Sequence, residues 1–181
     1  YMAALLTVNA GSIEKIQRYI ANCNSMGIEV LPPDVNSSGI DFTPKEDQIL
    51  FGLSAVRNLG EGAIRQLIKA RNEDGAFSSL ADLCDRIPTN VLNRINLESL
   101  IHSGAVDVFD PEGNRAQLMA DLDLIIDWAG SRARDRASGQ GNLFDLALTT
   151  SDQKDKLDIT SAPKAAYVSD YHPTEKLRLE K

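Results

Sequence analysis

The sequence predicts a mainly α fold carrying one small antiparallel β element. Three observations lead there. Apolar residues recur with helical spacing in two long stretches, 2–26 and 115–136. Short apolar runs, interrupted by Pro, Gly and Asp, fall between residues 28 and 53. Residues 54–109 alternate short helical patterns with glycine-containing turns at Leu59-Gly60-Glu61-Gly62, Asp74-Gly75 and Ser103-Gly104.

Taken in order, residues 2–26 read as helical, with Ile13, Ile16, Tyr19 and Ile20 on one face. Ser12 is an expected N-cap, although Lys15 stands where a capping box wants an acid. Met26-Gly27 ends the helix, because glycine suits the left-handed position after a C-cap. Ile28 to Leu31 is a strand pattern stopped by Pro32-Pro33, and Asp34 to Gly39 is turn-rich. Ile40 to Thr43 and Ile49 to Leu53 flank polar Pro44-Lys45-Glu46-Asp47 and are expected to form a hairpin. In the helix of 115–136, Leu118, Met119, Leu122, Ile125, Ile126 and Ala129 line one face. Asp121, Asp123 and Asp127 fall largely elsewhere, Asn114 or Gly113 opens the helix, and Gly130 weakens its last part. Arg132, Arg134 and Arg136 are expected as a solvated helix end that complements the helix dipole. Residues 137–162 are small and polar and read as a flexible linker around one apolar island, Leu143 to Leu146. From Ala165 onward, Tyr167, Val168 and Tyr171 offer apolar surface for docking.

Composition narrows the function. Nineteen Lys and Arg against 26 Asp and Glu give a net charge of −7. That excludes a strongly cationic nucleic-acid coat but not a local basic patch. No apolar run approaches the roughly 18–20 residues of a membrane helix, so no membrane partner is expected. Cys23 and Cys84 are far apart and neither belongs to a CxxC pair. Zinc and a disulfide framework are therefore not expected, both thiols read as small buried hydrophobes, and a reduced, cytoplasmic setting fits. Tyr1 opens inside an apolar run and Glu175 to Lys181 closes mid-pattern, so a piece of a longer protein is expected.

The first chemical signal runs from Val56 to Arg71. An apolar residue, then Gly60-Glu61-Gly62, then an apolar helix is the layout of a helix-hairpin-helix. Glycines there permit unusual backbone angles and let a phosphate approach the main chain. A second helix starting at about Ala63 would aim its free N–H groups into the same concavity, making an anion nest. Arg57, Arg65, Lys69 and Arg71 can flank it, and such contacts position DNA without reading its sequence. Glu61 counts against this unless it points away, and a tight turn between packed helices is the plain alternative. A second candidate, Asn93 to Ala105, carries one glycine, Gly104, and reads equally well as a helix with a glycine stop. The second signal is Gln140-Gly141-Asn142-Leu143-Phe144. In an extended segment Gln140 can hydrogen-bond while Leu143 and Phe144 enter an apolar pocket; equally, both can fold onto the chain's own core. His102 beside Ser103 forms no triad, and Asp121, Asp123 and Asp127 do not make a calcium loop.

Together these pieces resemble one family. Tyr1 to Thr7, Met26-Gly27-Ile28 and Leu31 to Asn36 look like its fingers segment, and Phe51 to Gly62 looks like its tandem helix-hairpin-helix. Leu100 to Asp107 and then Gln140 to Phe144 follow in the family's order, over about residues 1–146. The family is the alpha subunit of bacterial DNA polymerase III, the replicative C-family polymerase. The resemblance implies a fingers-like segment at 1–50, a tandem helix-hairpin-helix module at 51–109 and an amphipathic helix at 110–136. It further implies a linker with a clamp-binding peptide at 137–162, and a tail at 163–181 leading toward an oligonucleotide-binding domain. It implies backbone contacts to duplex DNA through Arg57, Leu59, Gly60, Gly62, Ala63, Arg65 and Lys69. Sliding-clamp contacts would come from Gln140, Leu143 and Phe144, other replicase subunits would be met through the parent chain, and the setting would be the bacterial nucleoid. The family's magnesium-binding carboxylates lie in a palm domain upstream, so no cofactor, metal site, catalytic residue or independent polymerase activity is expected of this segment. A helical protein-protein adaptor, or the same module in a translesion or repair polymerase, stands as the alternative.

Overall fold

The computed structural model describes residues 1–110, 112–137 and 162–180. The first helical stretch is two helices rather than one. α1 (Met2–Val8) stops at Asn9, whose side-chain amide donates to the Leu5 carbonyl at 2.8 Å, and α2 (Ile13–Ser25) restarts after Gly11. An asparagine bonded to its own preceding turn competes with helix continuation, and the nearby glycine does nothing to restore it. Ser12 occupies the N-cap of α2, but its side chain makes no cap bond. The other end of α2 follows expectation. Gly27 takes φ +75°, its amide reaches the Asn24 carbonyl at 3.1 Å, and the Ile28 amide reaches the Cys23 carbonyl at 2.9 Å. Those two bonds are the Schellman stop.

Three strands follow: β1 (Glu29–Leu31), β2 (Thr43–Lys45) and β3 (Gln48–Leu50), ordered β1-β3-β2. β2 and β3 form the antiparallel hairpin, but β2 begins only at the last residue of the Ile40 to Thr43 run and continues into the polar segment, β3 begins one residue before Ile49 and stops at Leu50, and Glu46 sits in the turn at φ 53°. β1 pairs with β3 in parallel, which makes the sheet mixed. Pro32-Pro33 cannot extend a ladder, so β1 gains its neighbour only after a crossover through residues 32–47. Glu29 lies opposite Gln48, whose amide donates to its carboxylate at 2.6 Å. Met2, Leu6, Ile16, Cys23, Phe42 and Ile49 bury together and tie α1 and α2 to this sheet.

A second, larger core is built by α3 (Glu61–Asp74), α4 (Leu80–Arg86), α5 (Arg94–His102) and α6 (Arg115–Ala137). α6 lays Leu118, Leu122, Ile125 and Ala129 against α4 and α5, a stripe at helical spacing. Gly130 does not interrupt it, and the helix runs on through Ala137. Arg134 and Arg136 are exposed as expected, but Arg132 is largely covered, and neither Arg132 nor Arg136 is left to solvent alone. Both bind Asp85 of α4, at 3.0 and 2.8 Å, and the Asp85 side chain is only 8% exposed. A nearly buried carboxylate requires partners, and two arginines one helical turn apart converge on it.

Asp121 also departs from expectation. It is buried, accepting from the Gln117 amide at 3.0 Å and the Ala165 N–H at 2.7 Å. With Asn114 and Gln117 it forms a polar row along α6 that holds the returning chain. The Val168 N–H donates to Gln117 and the Val168 carbonyl accepts from Asn114, each at 2.8 Å. This strap runs antiparallel to α6 and leads into α7 (Pro173–Leu179), whose Lys176 donates to the Gly113 carbonyl at 2.8 Å. The tail therefore docks, but through polar contacts of its backbone and of the Lys176 and Glu180 side chains; Tyr167 is 78% exposed. An extended segment's N–H and C=O groups need partners, and a polar row meets that need where an apolar stripe would not.

Both thiols are buried, and burial, reinforced by the Asp85 charge, pushes Cys84 up to about 12. The folded state thus disfavours thiolate, so the stability Cys84 contributes is intact below the unfolded thiol's pKa of about 8.5. It is lost progressively as pH rises from there through about 12. Urea midpoints are expected to fall above pH 9, and less so in Cys84→Ala. A midpoint rising with pH across that range would contradict the assignment.

Candidate nucleic-acid interface

The hairpin enters through a 3-10 turn, Leu53–Ala55, not through a full α-helix. Val56 and Leu59 bury their side chains in the larger core and fix the loop at both shoulders, which leaves Arg57 and Asn58 exposed between them. The left-handed residue of the loop is Asn58, at φ 56°, not a glycine. Asparagine tolerates that region better than most side chains. Gly60 sits at φ −70° and ψ 151°, and Gly62 lies in the first turn of α3 with no positive φ. The two glycines thus supply no special backbone angle. They supply space: nothing lies within 4 Å of where a Cβ on either would stand.

α3 starts at Glu61, two residues before the expected Ala63. Its N-cap is Gly60, which has no side chain to offer, and the first intrahelical bond runs from Ile64 N–H to the Gly60 carbonyl at 3.1 Å. The amides of Glu61, Gly62 and Ala63 precede the helix's own bonding and end beside open space. Ala63, Ile64 and Leu67 are buried, so the helix axis is set by the core and its free end points away from it. This arrangement can receive an anion at the main chain.

Cations flank this end and continue along α3. Arg57 is exposed on the loop. Arg65 is paired with Glu61 one turn earlier, at 2.5 Å, and Lys69 lies 3.8 Å from Glu73. Both pairs are more than half exposed, so releasing either cation costs less than about 1 kcal/mol. Glu61 thereby faces Arg65, along the helix surface. Arg71 is not part of the group: it is half-buried and donates to the Val35 carbonyl at 2.9 Å. Burial lowers its pKa, against the opposing pull of Asp34.

Asn93 to Ala105 resolves as a capped helix. Asn93 and Asn96 form a reciprocal capping box at 3.0 Å in both directions, and Gly104 at φ +81° closes the other end. The Gly104 and Ala105 amides bond Ile101 and Leu100, a second Schellman stop. The space beside Gly104 is filled by the Arg115 guanidinium, so no ligand approaches the chain there. Arg115 is buried and bonds Asp107, Glu180 at 2.8 Å and the His102 carbonyl at 3.1 Å. Burial opposes its charge, but those carboxylates outweigh it and raise its pKa. Burial lowers His102, with Glu98 pulling upward and Arg115 downward.

Of the predicted site residues, Arg57, Leu59, Gly60, Gly62, Ala63 and Arg65 are thus brought to one loop and helix end, while Lys69 lies about two turns further along α3. Gln140, Leu143 and Phe144 lie outside the described residues. Asp121 and Asp123 part company, the first under the strap and the second paired with Arg94 at 2.9 Å. The residue that sequence reasoning missed is Asn96. The spacing Asn93-x-x-Asn96 ahead of an apolar run is a capping signal and marks it.

Comparison with known proteins gives a consistent result. Residues 27–118 match the family model described as a helix-hairpin-helix motif. DNA polymerase III subunit alpha of Thermus aquaticus is 45% identical over 144 residues, 80% of this chain and 12% of the relative. The Deinococcus radiodurans subunit alpha is 38% identical over all 181 residues, 13% of its length, and that of Escherichia coli K12 is 39% identical over 154 residues, 84% of this chain and 13% of the relative. The chain therefore spans about one eighth of the curated relatives it matches.

Proposed function

We propose, from the premise that this chain belongs to the helix-hairpin-helix motif family and is homologous to a segment of DNA polymerase III alpha subunits, that it holds duplex DNA by the phosphate backbone. The observation that carries this is the free amide end of α3 beside two glycines with open space where side chains would be. A phosphate accepts from the Glu61, Gly62 and Ala63 amides, while Arg57, Arg65 and Lys69 neutralise neighbouring phosphates. Leu59 and Ala63 act from below, by fixing the loop and the helix start. In the parent protein this grip serves template-directed DNA synthesis, with residues 1–50 as part of the fingers and residues 51–109 as the grip itself. Gln140, Leu143 and Phe144 form a peptide that tethers the polymerase to the sliding clamp. The segment holds substrate; the bond-forming chemistry belongs elsewhere in the parent chain.

Duplex binding by the 181-residue chain, titrated against salt, tests the grip. Three neutralised phosphates give a slope of roughly −3 in log K against log salt. Gly60→Asp, which puts a carboxylate where the phosphate sits, is expected to weaken binding at least about tenfold. Arg65→Glu is expected to weaken binding and flatten the slope. Glu61→Gln frees Arg65 and is expected to tighten binding by up to about fivefold, the equivalent of one exposed ion pair. Binding indifferent to salt and to Gly60→Asp would favour the adaptor reading instead.

A further inference from the structure

We infer that Asn96 of α5 is a positioning residue for the phosphate grip, holding the loop from Arg57 to Gly60 in its binding geometry. The inference rests on the duplex-binding reading above. Its basis is that the loop's one left-handed residue, Asn58, is tied to α5 and not to its own hairpin. The Asn96 side-chain amide donates to the Asn58 carbonyl, and the Asn58 side chain lies 3.4 Å from the Ser99 hydroxyl. Asn96 itself is only 7% exposed and uses its side-chain oxygen for the capping box with Asn93. One side chain therefore fixes the start of α5 with its oxygen and the DNA loop with its nitrogen.

Geometry gives the brace its consequence. Asn58 is flanked by Arg57 on one side and by Leu59 and Gly60 on the other, so its peptide orientation sets where the cation and the helix start stand. A non-glycine residue at positive φ has other basins open to it. Without the Asn96 donor, the Asn58 carbonyl loses its partner and the loop samples them. The proposed grip on phosphate in this chain is thereby conditional on α5, whose own glycine stop is closed off by Arg115. In this chain α5 contributes to the grip by holding the loop of its neighbour.

The test uses the 181-residue chain, a random-sequence duplex and three variants. Asn96→Ala removes both the brace and half of the capping box. Asn93→Ala damages the capping box alone. Asn96→Ala/Asn58→Gly removes the brace but places at 58 a residue that adopts left-handed angles without steric cost. Asn96→Ala is expected to weaken duplex binding about tenfold at fixed salt, with an unchanged salt slope because no phosphate contact is deleted. Asn93→Ala is expected to lower the urea midpoint comparably and leave affinity unchanged. The double variant is expected to recover most of the affinity, which a purely structural role would not allow. Equal affinity losses in Asn93→Ala and Asn96→Ala, or no recovery in the double variant, would overturn the inference. Backbone amide spectra separate the two layers. If the wild-type chain binds no duplex, the proposed function fails, and unchanged Arg57 to Gly62 signals in Asn96→Ala then overturn the brace independently.

Discussion

Gly104→Ala is expected to destabilise the chain by about 3 kcal/mol or more, a large part of the 5–15 kcal/mol that holds a typical domain together. Two costs combine. Gly104 sits at φ +81°, where an added Cβ costs roughly 1–2 kcal/mol. That Cβ would also occupy the place of the Arg115 guanidinium. Arg115 is buried and cannot simply swing into water; displacing it breaks the bonds to Asp107, Glu180 and the His102 carbonyl together. The measurement is a urea midpoint at constant m-value. Gly104→Asn separates the costs, since asparagine accepts the backbone angle but keeps the Cβ. In Arg115→Ala/Gly104→Ala the collision is gone, and the pair should be markedly less than additive. A wild-type midpoint for Gly104→Ala would refute the account.

The second large effect concerns the peptide at Gln140 to Phe144. The 181-residue chain is expected to bind a bacterial sliding clamp saturably by calorimetry, and Leu143→Ala/Phe144→Ala is expected to abolish that binding. Two apolar anchors, each worth about 2 kcal/mol or more when buried at an interface centre, account together for most of the affinity of so short a peptide. The variant should keep its duplex affinity, because neither residue belongs to the α3 end. Absence of clamp binding by the parent chain at high micromolar concentration would withdraw the tether and leave the DNA grip standing alone.

The sequence carried the large elements because burial is periodic. The apolar stripe of α6 and the cores under α3 and α5 announce themselves at helical spacing, and Gly27 and Gly104 mark the stops of α2 and α5. What stayed hidden is polar and long-range. Asp121 falls outside the apolar face of its helix, and only the returning chain makes it buried. Arg132 and Arg136 look like a solvated end until Asp85, 47 residues away from Arg132, is placed beneath them. The same holds at the site. Gly60-x-Gly62 located the loop correctly but for a different physical reason, the absence of side chains and not the freedom of the backbone. The left-handed role fell to Asn58, and its support from Asn96 spans 38 residues.

The strap along α6 has a mechanical consequence. Chain leaves α6 at Ala137 and returns at Ala165 beside Asp121, 16 residues back along the same helix, or about 24 Å at 1.5 Å per residue. The described chain on either side of residues 138–161 is thus fixed to one rod. Tension drawn on the chain at Ala137 and at Ala165 would be divided between two anchorages. The returning one runs along the rod, through Asp121, Gln117 and Asn114 in turn, so a pull toward the far end of α6 loads these fastenings side by side. Fastenings loaded together yield at a much higher force than fastenings peeled one after another. The helix that carries the line is the same one clasped through Asp85 to α4, which passes the load into the body of the domain instead of its loops.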